Sequence, residues 1–411
     1  MVTSGGDRLG LYFSIPFCRS KCTYCNFASG VYPASEHTRY VDRIMEDIAS
    51  AEPWADRMAV SLPRNVDTIY LGGGTPSLLS REQIARLFAA IHAQFIVEPD
   101  AEITVECAPG QIADGTLEAL AATGVNRVSL GVQSFVDREA HVSGRLHSRA
   151  IVFDDLRRLR RAGITNLNVD LIAGLAGQTL ASWQESIAVL LDADVPHASI
   201  YMLEVDEDSR LGREMLAGGA RYHADLVPSD DTIARMYEIA VEQLTAAGLK
   251  QYEISNFARR GRASRHNLRY WQRRPYLGLG VDASTALYAR DPDGEGKHHL
   301  LRSTTSDDLA AYLGGPQPAE IAWLSPERQY EEAWFLGLRM NAGVGIGALR
   351  HEFGRERVAR ALALVAQLAD AGLVASEGKT VRLTPRGRML SNDVFQQFLQ
   401  PCEAEPSLAA R

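Results

Sequence analysis

The amino-acid sequence predicts an α/β fold: a partial (β/α)6 TIM-like barrel followed by a small winged-helix-like domain. Short runs of β-branched and aromatic residues alternate with longer amphipathic stretches over roughly the first 250 residues. This alternation is typical of parallel strands joined by crossover helices. A doubly wound sheet would give the same pattern, so that alternative stays open. From about residue 325 the pattern changes to helices and one hairpin.

Six strands are predicted in the first part of the chain, each ending near Gly, Pro or Asn. They are Leu11–Ile15, Thr68–Leu71, Ile103–Glu106, Arg127–Val132, Leu167–Ile172 and Ala198–Leu203. The amphipathic stretches between them predict the helices Glu36–Ser50, Arg81–Gln94, Ser148–Arg161 and Leu180–Asp192. A helix at Thr232–Ala246 and a strand at Tyr252–Phe257 follow.

The last part of the chain is predicted to form helices at Glu331–Met340 and Val358–Ala371, a hairpin over 373–383, and a helix that Pro385 opens. Many domains with this order bind DNA. Residues 325–400 hold ten Arg or Lys against eight Asp or Glu, however, and this near balance is weak for phosphate binding. We therefore expect a packing or partner-docking role.

The predicted domain limits follow from these changes of pattern. A barrel is expected over 1–250, a connecting segment over 251–324, the winged-helix-like domain over 325–400, and a tail over 401–411.

Composition limits the kind of protein. The chain has 411 residues and a formal net charge of −8, which argues against broad affinity for nucleic acid or an anionic membrane. It contains no apolar run of about 18 residues and begins with no secretory leader, so we expect a cytoplasmic protein without a transmembrane segment.

Three of the five cysteines lie within eight residues, as Cys18, Cys22 and Cys25. Three thiolates at C-x-x-x-C-x-x-C spacing can hold three irons of a four-iron cluster and leave the fourth iron open to a small molecule. The alternative is a structural zinc site, which needs four ligands. Among the other cysteines, Cys107 could complete such a site in the barrel, and Cys402 lies in the tail. The spacing favours the iron–sulfur cluster.

Further polar and glycine residues follow the predicted strands. Gly72–Pro76 follows the second strand, Glu106 closes the third and Gln133 the fourth, Arg145 comes soon after, and Asp170 lies within the fifth. In such barrels chemistry gathers at the C-terminal ends of the strands. Glycine permits close approach of backbone to a ligand, carboxylates and amides accept from hydroxyls, and a guanidinium pairs with a carboxylate. Any one of these residues would be unremarkable, because polar side chains are common at the rim of such barrels. Together they indicate a ligand site.

The segment His266–Trp271 reads H-N-L-R-Y-W. It is either a structural segment whose aromatics pack on the barrel or a porphyrin contact, since His is a common axial haem ligand and Arg pairs with propionates. The residues alone favour the structural role.

Together these motifs resemble the radical S-adenosylmethionine proteins related to oxygen-independent coproporphyrinogen III oxidase, over nearly the whole chain. The motifs are the segment Tyr12–Phe27, Gly72–Pro76, Val105-Glu106, Gln133–Phe135, Gly144–His147, Asn168–Ile172, Tyr252–Ala258 and His266–Trp271. The haem chaperone branch is the closer match, because the oxidase carries a further cysteine where this chain has Phe27. The oxidase also has an N-terminal extension, for which a strand beginning near Leu11 leaves no room.

The resemblance implies that Cys18, Cys22 and Cys25 ligate a [4Fe–4S] cluster. It also implies that the S-adenosylmethionine region is lined by Tyr12, Tyr24, Gly73, Gly74, Thr75, Glu106, Gln133, Arg145 and Asp170, and that His266 contacts haem. The implied function is delivery of haem to an acceptor protein, with a flavodoxin or ferredoxin as possible electron donor. The alternative is the oxidase reaction of porphyrin biosynthesis.

The chain departs from the family pattern at three places. Gly280–Ser284 replaces a G-x-G-A-H-S-like stretch of the porphyrin or second-nucleotide pocket, Ala176 replaces a proline, and Cys107 replaces a small apolar residue.

Overall fold

The structure, a computed structural model, describes residues 8–290, 299–315 and 320–399. The predicted tail and Cys402 lie outside these residues. Two compact units are present: one comprises 8–269 and 274–323, and the other comprises 270–273 and 324–399.

The larger unit is built on six parallel strands that lie side by side in chain order. They are β1 (Arg8–Ile15), β2 (Asn65–Gly73), β3 (Ile96–Cys107), β4 (Arg127–Gln133), β5 (Asn166–Ala173) and β6 (His197–Met202). A doubly wound sheet reverses its strand order, whereas this order is unbroken, so the doubly wound alternative is excluded. The predicted α/β barrel and its six strands are confirmed.

Helices follow these strands. They are α1 (Ala34–Arg57), α2 (Arg81–Gln94), α3 (Asp114–Ala122), α4 (Asp137–Val142), α5 (Arg149–Arg161), α6 (Leu180–Asp192), α7 (Arg210–Leu216), α8 (Asp230–Ala246), α9 (Arg265–Trp271) and α10 (Leu309–Leu313). The predicted bounds of α2 are confirmed. The helix starts at Arg81 because the side chains of Ser80 and Gln83 each accept from the backbone amide of the other residue. Over the described residues, no helix combines the length and apolar character needed to span a membrane.

Further strands extend the sheet at both edges. They are β7 (Lys250–Gln251), β8 (Asn256–Ala258), β9 (Tyr276–Leu279), β10 (Ser284–Tyr288), β11 (Leu300–Thr304) and β12 (Glu320–Leu324). The predicted single strand Tyr252–Phe257 is wrong. Its first residues form a turn, in which the Tyr252 amide donates to the Asn256 carbonyl at 3.0 Å and Glu253 accepts from the Ser255 amide at 2.9 Å.

The two faces of the parallel strands differ in chemistry. Along β1, Leu11 and Phe13 are fully buried and alternate with Tyr12, whose ring stacks on Tyr70 of β2. Successive side chains of a strand point to opposite faces. The apolar residues therefore face the helices, and polar and aromatic residues fill the interior, where branched apolar residues dominate in typical TIM barrels.

The smaller unit has its own core and sheet. Its elements are α11 (Pro326–Arg339), β13 (Val344–Gly345), α12 (Ile346–Phe353), α13 (Arg355–Asp370), β14 (Val374–Glu377), β15 (Thr380–Leu383), α14 (Pro385–Met389) and α15 (Ser391–Gln396). The strands pair in the order β13-β15-β14, and Trp334 stacks on Phe398 with ring centroids 4.7 Å apart. This succession of helix, strand, two helices and hairpin confirms the predicted winged-helix-like architecture.

A buried ion pair lies toward the N-terminal end of the strands. The pairing of β1 with β2 shifts register at Asp67, so this residue forms a bulge. A bulge re-aims side chains, and here both Asp67 and Thr68 contact Arg269. The Asp67 carboxylate also accepts from Arg274 at 2.9 Å, and the side chains of Asp67 and Arg269 are 2% and 0% exposed.

Replacement of Asp67 by alanine should strongly destabilise the fold, because it leaves the buried Arg269 guanidinium without its carboxylate. We expect Asp67→Ala to lower the free energy of unfolding by about 3–5 kcal/mol. Asp56→Ala is the matched control, since Asp56 pairs with Arg290 at the surface and such pairs are worth about 0–1 kcal/mol. Urea unfolding measures both, and equal effects would contradict this account.

Candidate functional site

The loop between β1 and α1 carries the three clustered cysteines. Cys18, Cys22 and Cys25 are partly exposed free thiols. Backbone hydrogen bonds hold this loop to two helix ends. The Thr23 amide donates at 3.1 Å to the carbonyl of Ser143, which follows α4, and the Thr23 carbonyl accepts from the amide of Leu211, at the start of α7, at 2.9 Å. The thiols therefore stand on a braced loop at the C-terminal end of the barrel.

Cys107 is the one other cysteine among the described residues that could complete a zinc site with the clustered thiols. Three sulfurs bound to one zinc lie about 3.8 Å apart, given a Zn–S distance of about 2.3 Å. Over the described residues, no three Cys, His, Asp or Glu side chains come together closely enough to hold a single metal ion. Cys107 is buried and follows Glu106 on β3, so the two side chains point to opposite faces of the strand. Cys107 therefore does not supply the fourth ligand that a structural zinc site with the three clustered cysteines would need.

The glycine turn at the end of β2 lies against the start of the cysteine loop. The Gly74 amide donates to the Ile15 carbonyl at 2.8 Å, and the Thr75 amide donates to the Phe17 carbonyl at 2.7 Å. A Cβ at Gly74 would lie 2.8 Å from that Phe17 oxygen, so no larger residue fits. The Thr75 hydroxyl also reaches Cys18 Sγ at 3.8 Å. The turn and the cysteine loop thus form one rigid edge.

A buried carboxyl group lies beside this turn. Glu106 accepts a hydrogen bond from the Tyr70 hydroxyl at 2.7 Å and another from the Gly73 amide at 3.2 Å. Burial raises the pKa of Glu106 to about 7, although the hydrogen bond from Tyr70 lowers it. This carboxyl group therefore titrates near neutral pH.

A second carboxylate lies on the inner face of β5. Asp170 accepts from Ser129 at 2.9 Å and from Asn168 at 2.7 Å. Burial raises its pKa above the ordinary value, while these hydrogen bonds oppose the shift. The amide oxygen of Asn168 also accepts from His197 Nδ1 at 2.6 Å, so Asp170 stands in a network of buried polar groups.

Gln133 and Arg145 bring unpaired polar atoms to the same end of the barrel. Gln133 closes β4 in a left-handed conformation, with φ of 70°, next to a shift in register with β5. Arg145 interacts electrostatically with Tyr24 of the cysteine loop. Gln133 Oε1 and Arg145 Nε are buried without a hydrogen-bond partner. Such atoms are costly to leave unpaired, so both are available to a polar ligand.

Most of the predicted ligand residues thus lie at the C-terminal end of the barrel. Tyr12 and His266 lie farther from that end. Tyr12 lies inside the barrel, where its ring stacks on Tyr70 and His266. His266 is fully buried, and its Nδ1 lies 2.9 Å from the Thr68 hydroxyl. Burial lowers the pKa of His266 to about 3. This environment favours the structural alternative for His266, and its contact with haem stays a prediction.

Sequence reasoning missed the side chains that support these residues. Tyr70, Ser129 and His197 hydrogen-bond to predicted site residues or to their partners. The available signal was the period-two alternation of polar and apolar residues in β2, β4 and β6, which marks a polar interior.

Comparison with known proteins adds to this geometry. Residues 12–190 match the Radical SAM superfamily, and residues 324–390 match the HemN C-terminal domain. The chain is 33% identical to the "Heme chaperone HemW" of Lactococcus lactis, over 94% of this chain and 96% of that protein. It is 34% identical to the "Heme chaperone HemW" of Bacillus subtilis, over 94% and 98% of the two chains. The solved structure of coproporphyrinogen III oxidase (HemN) from Escherichia coli has a TM-score of 0.79 at 23% identity, with 97% and 91% of the two chains covered, and this likeness concerns the fold.

The raised pKa of Glu106 predicts a pH-dependent stability. The folded chain retains a proton on Glu106 at pH values where the unfolded chain, with a pKa near 4.5, has lost it. The wild type should therefore lose stability relative to Glu106→Gln, which cannot ionise, as pH rises from about 4.5 to 7. We expect a relative change of up to about 2–3 kcal/mol in the free energy of unfolding.

Urea unfolding of both proteins at pH 5 and pH 8 measures this difference. Tyr70→Phe removes the donor that lowers the pKa of Glu106, so it should move the transition to higher pH. A difference between wild type and Glu106→Gln that does not vary with pH would show that Glu106 does not titrate as described.

Proposed function

The chain belongs to the HemW family of radical S-adenosylmethionine proteins, and from this premise we propose that it binds haem and delivers it to an acceptor protein. The supporting observation is identity of 33% to a protein named "Heme chaperone HemW" over 94% of this chain. Phe27 adds to it, because this side chain stands two residues after Cys25, where the oxidase resemblance calls for a further cysteine. The Phe27 side chain is 61% exposed on the cysteine loop.

The residues at the end of the barrel fit a [4Fe–4S] cluster and S-adenosylmethionine. Cys18, Cys22 and Cys25 would hold the cluster, which leaves one iron for the amine and carboxylate of S-adenosylmethionine. Gly73 and Gly74, which are partly exposed, would allow close approach of the methionyl part to the backbone, and Thr75 would line the same region. When bound, the reduced cluster supplies the electron that cleaves the sulfonium of S-adenosylmethionine, and a flavodoxin or ferredoxin is the proposed donor.

The other polar residues of this end would orient the ligand. Arg145 would pair with a carboxylate, and Gln133 would offer its unpaired buried oxygen to a donor. Glu106 and Asp170 would accept from the amine or from ribose hydroxyls, while Tyr12 and Tyr24 would bound the region. The unpaired buried atoms of Gln133 and Arg145 support this placement most directly.

The alternative is the oxidase reaction on coproporphyrinogen III. Its support is the shared fold with HemN, at an identity too low to carry more than the fold. An oxidase converts its porphyrinogen into a different product, whereas a chaperone releases haem unchanged. An assay for the converted product therefore separates the two functions.

Substitution of Gly74 should prevent assembly of the cluster. A Cβ at Gly74 would lie within 2.9 Å of backbone atoms of Ile15, Pro16 and Phe17, so Gly74→Ala must displace the start of the cysteine loop. We expect iron content after anaerobic reconstitution to fall several-fold relative to wild type. Gly347→Ala is the control, because nothing lies within 4 Å of its Cβ position. Wild-type iron content in Gly74→Ala would show that the turn does not support the thiols.

Haem titration of the reconstituted protein tests the proposed function. We expect a saturable change in the Soret absorbance, and no protoporphyrinogen from coproporphyrinogen III in an anaerobic assay with S-adenosylmethionine and dithionite. Absence of haem binding would overturn the chaperone proposal. Formation of protoporphyrinogen would establish the oxidase instead. Release of 5′-deoxyadenosine in the same assay reports whether the radical chemistry operates.

A further inference from the structure

Helix α9 carries the H-N-L-R-Y-W segment, which the residues at the barrel's C-terminal end do not include. Its start is held by Glu102 of β3, which is 6% exposed. The two carboxylate oxygens of Glu102 accept from the backbone amides of Arg265 and His266, each at 3.0 Å. In the pairing of the strands Glu102 lies beside Thr68, several residues before the C-terminal ends. The start of α9 therefore sits toward the N-terminal end of the barrel.

Arg269 holds α9 against the strands β1 and β2. Its guanidinium pairs with Asp67 and donates to the Pro275 carbonyl at 2.8 Å. A Cβ at Gly10 would lie 2.4 Å from Arg269 Cδ, so β1 has room for this side chain only because residue 10 is glycine. These contacts leave α9 little freedom to move away from the strands.

The ring of His266 lies beneath the aromatic layer of the barrel. It stacks on Tyr70 with ring centroids 5.2 Å apart and planes 28° apart, and it faces Tyr12 at 6.4 Å. The lowered pKa keeps the ring neutral at pH 7, so it packs as a flat, uncharged side chain. Its contact with the Thr68 hydroxyl at 2.9 Å fixes its orientation about the helix.

Tyr70 connects this ring to the glycine turn. Its hydroxyl donates to Glu106 Oε1 at 2.7 Å, and Glu106 Oε2 accepts from the Gly73 amide at 3.2 Å. A continuous series of contacts therefore runs from His266 through Tyr70 and Glu106 to Gly73. The turn at Gly73 has φ of 100° and depends on such bonds to hold one conformation.

We propose that His266 is a positioning residue for the S-adenosylmethionine site: its ring holds Tyr70, and Tyr70 holds Glu106 and the Gly73 amide in place. This inference rests on the part of the proposed function that concerns S-adenosylmethionine. It places His266, at the start of α9, toward the N-terminal ends of the strands, and this role depends on the shape of the His266 ring. Haem ligation through His266 is the competing role, and it requires a ring nitrogen.

Two substitutions of His266 separate shape from ligation. His266→Phe keeps a flat ring under Tyr70 and has no nitrogen for iron, whereas His266→Ala removes both. In reconstituted protein, equilibrium dialysis should show S-adenosylmethionine binding weakened about tenfold by His266→Ala and retained within about threefold by His266→Phe. Haem titration should be unchanged in both variants. His92→Ala is the control, since His92 is exposed on α2.

Tyr70→Phe tests the next contact in the series. It should weaken S-adenosylmethionine binding about as much as His266→Ala, and the double variant should be no weaker than either single one, because both act through the same hydroxyl. Hydrogen exchange of the Gly73 amide, measured without ligand, should be faster in both single variants. This last measurement holds whether or not the proposed function is right.

Two results would overturn the proposal. One is unchanged S-adenosylmethionine affinity and Gly73 exchange in Tyr70→Phe, a variant with a conservative change. The other is loss of haem binding in both His266 variants, which would establish ligation by the ring nitrogen. Wild type that fails to bind S-adenosylmethionine would instead refute the part of the proposed function that concerns this ligand, and the exchange data would still decide the positioning role.

Discussion

The polar interior of the barrel imposes the constraint on which the rest of this structure depends. Each buried polar group that lacks a partner costs free energy, so the interior side chains must bond to one another. Asp67 and Arg269 satisfy each other at one end, and Asn168 bonds to Ser129, Asp170 and Ser199 farther along. The closing helix α9 and the turn after β7 are parts of this bonding scheme, because they supply Arg269, His266 and Tyr252.

Different groups border the two ends of the barrel. Toward the N-terminal ends of the strands, Glu102 and Asp67 bond to α9 and to arginine side chains. At the C-terminal ends, Gln133 and Arg145 keep unpaired buried atoms. Two register shifts, at Asp67 and before Gln133, re-aim side chains at these opposite ends. Helix α9 thus covers one end, whereas the cysteine loop and the glycine turn border the other.

Much of this was predictable from local patterns, and the failures have physical causes. The six parallel strands and helix α2 follow from periodicity and capping, which act over a few residues. The strand predicted at Tyr252–Phe257 was wrong because the Glu253 side chain bonds to the backbone two residues on and makes a turn. The short helices α3, α4 and α7 were missed, since one or two turns carry little periodic signal.

The sequence by itself determined the family, the α/β barrel, the cysteine triplet and the glycine turn, because each is encoded by residue type at a short, fixed spacing. Only the tertiary structure decided which polar residues meet. His266 and Tyr70 are far apart along the chain, and their stacking depends on how α9 closes the barrel. The pKa of Glu106 likewise depends on its burial and on its bond to Tyr70. Contacts between distant segments, and the burial that they create, are set by packing and leave no local pattern in the sequence.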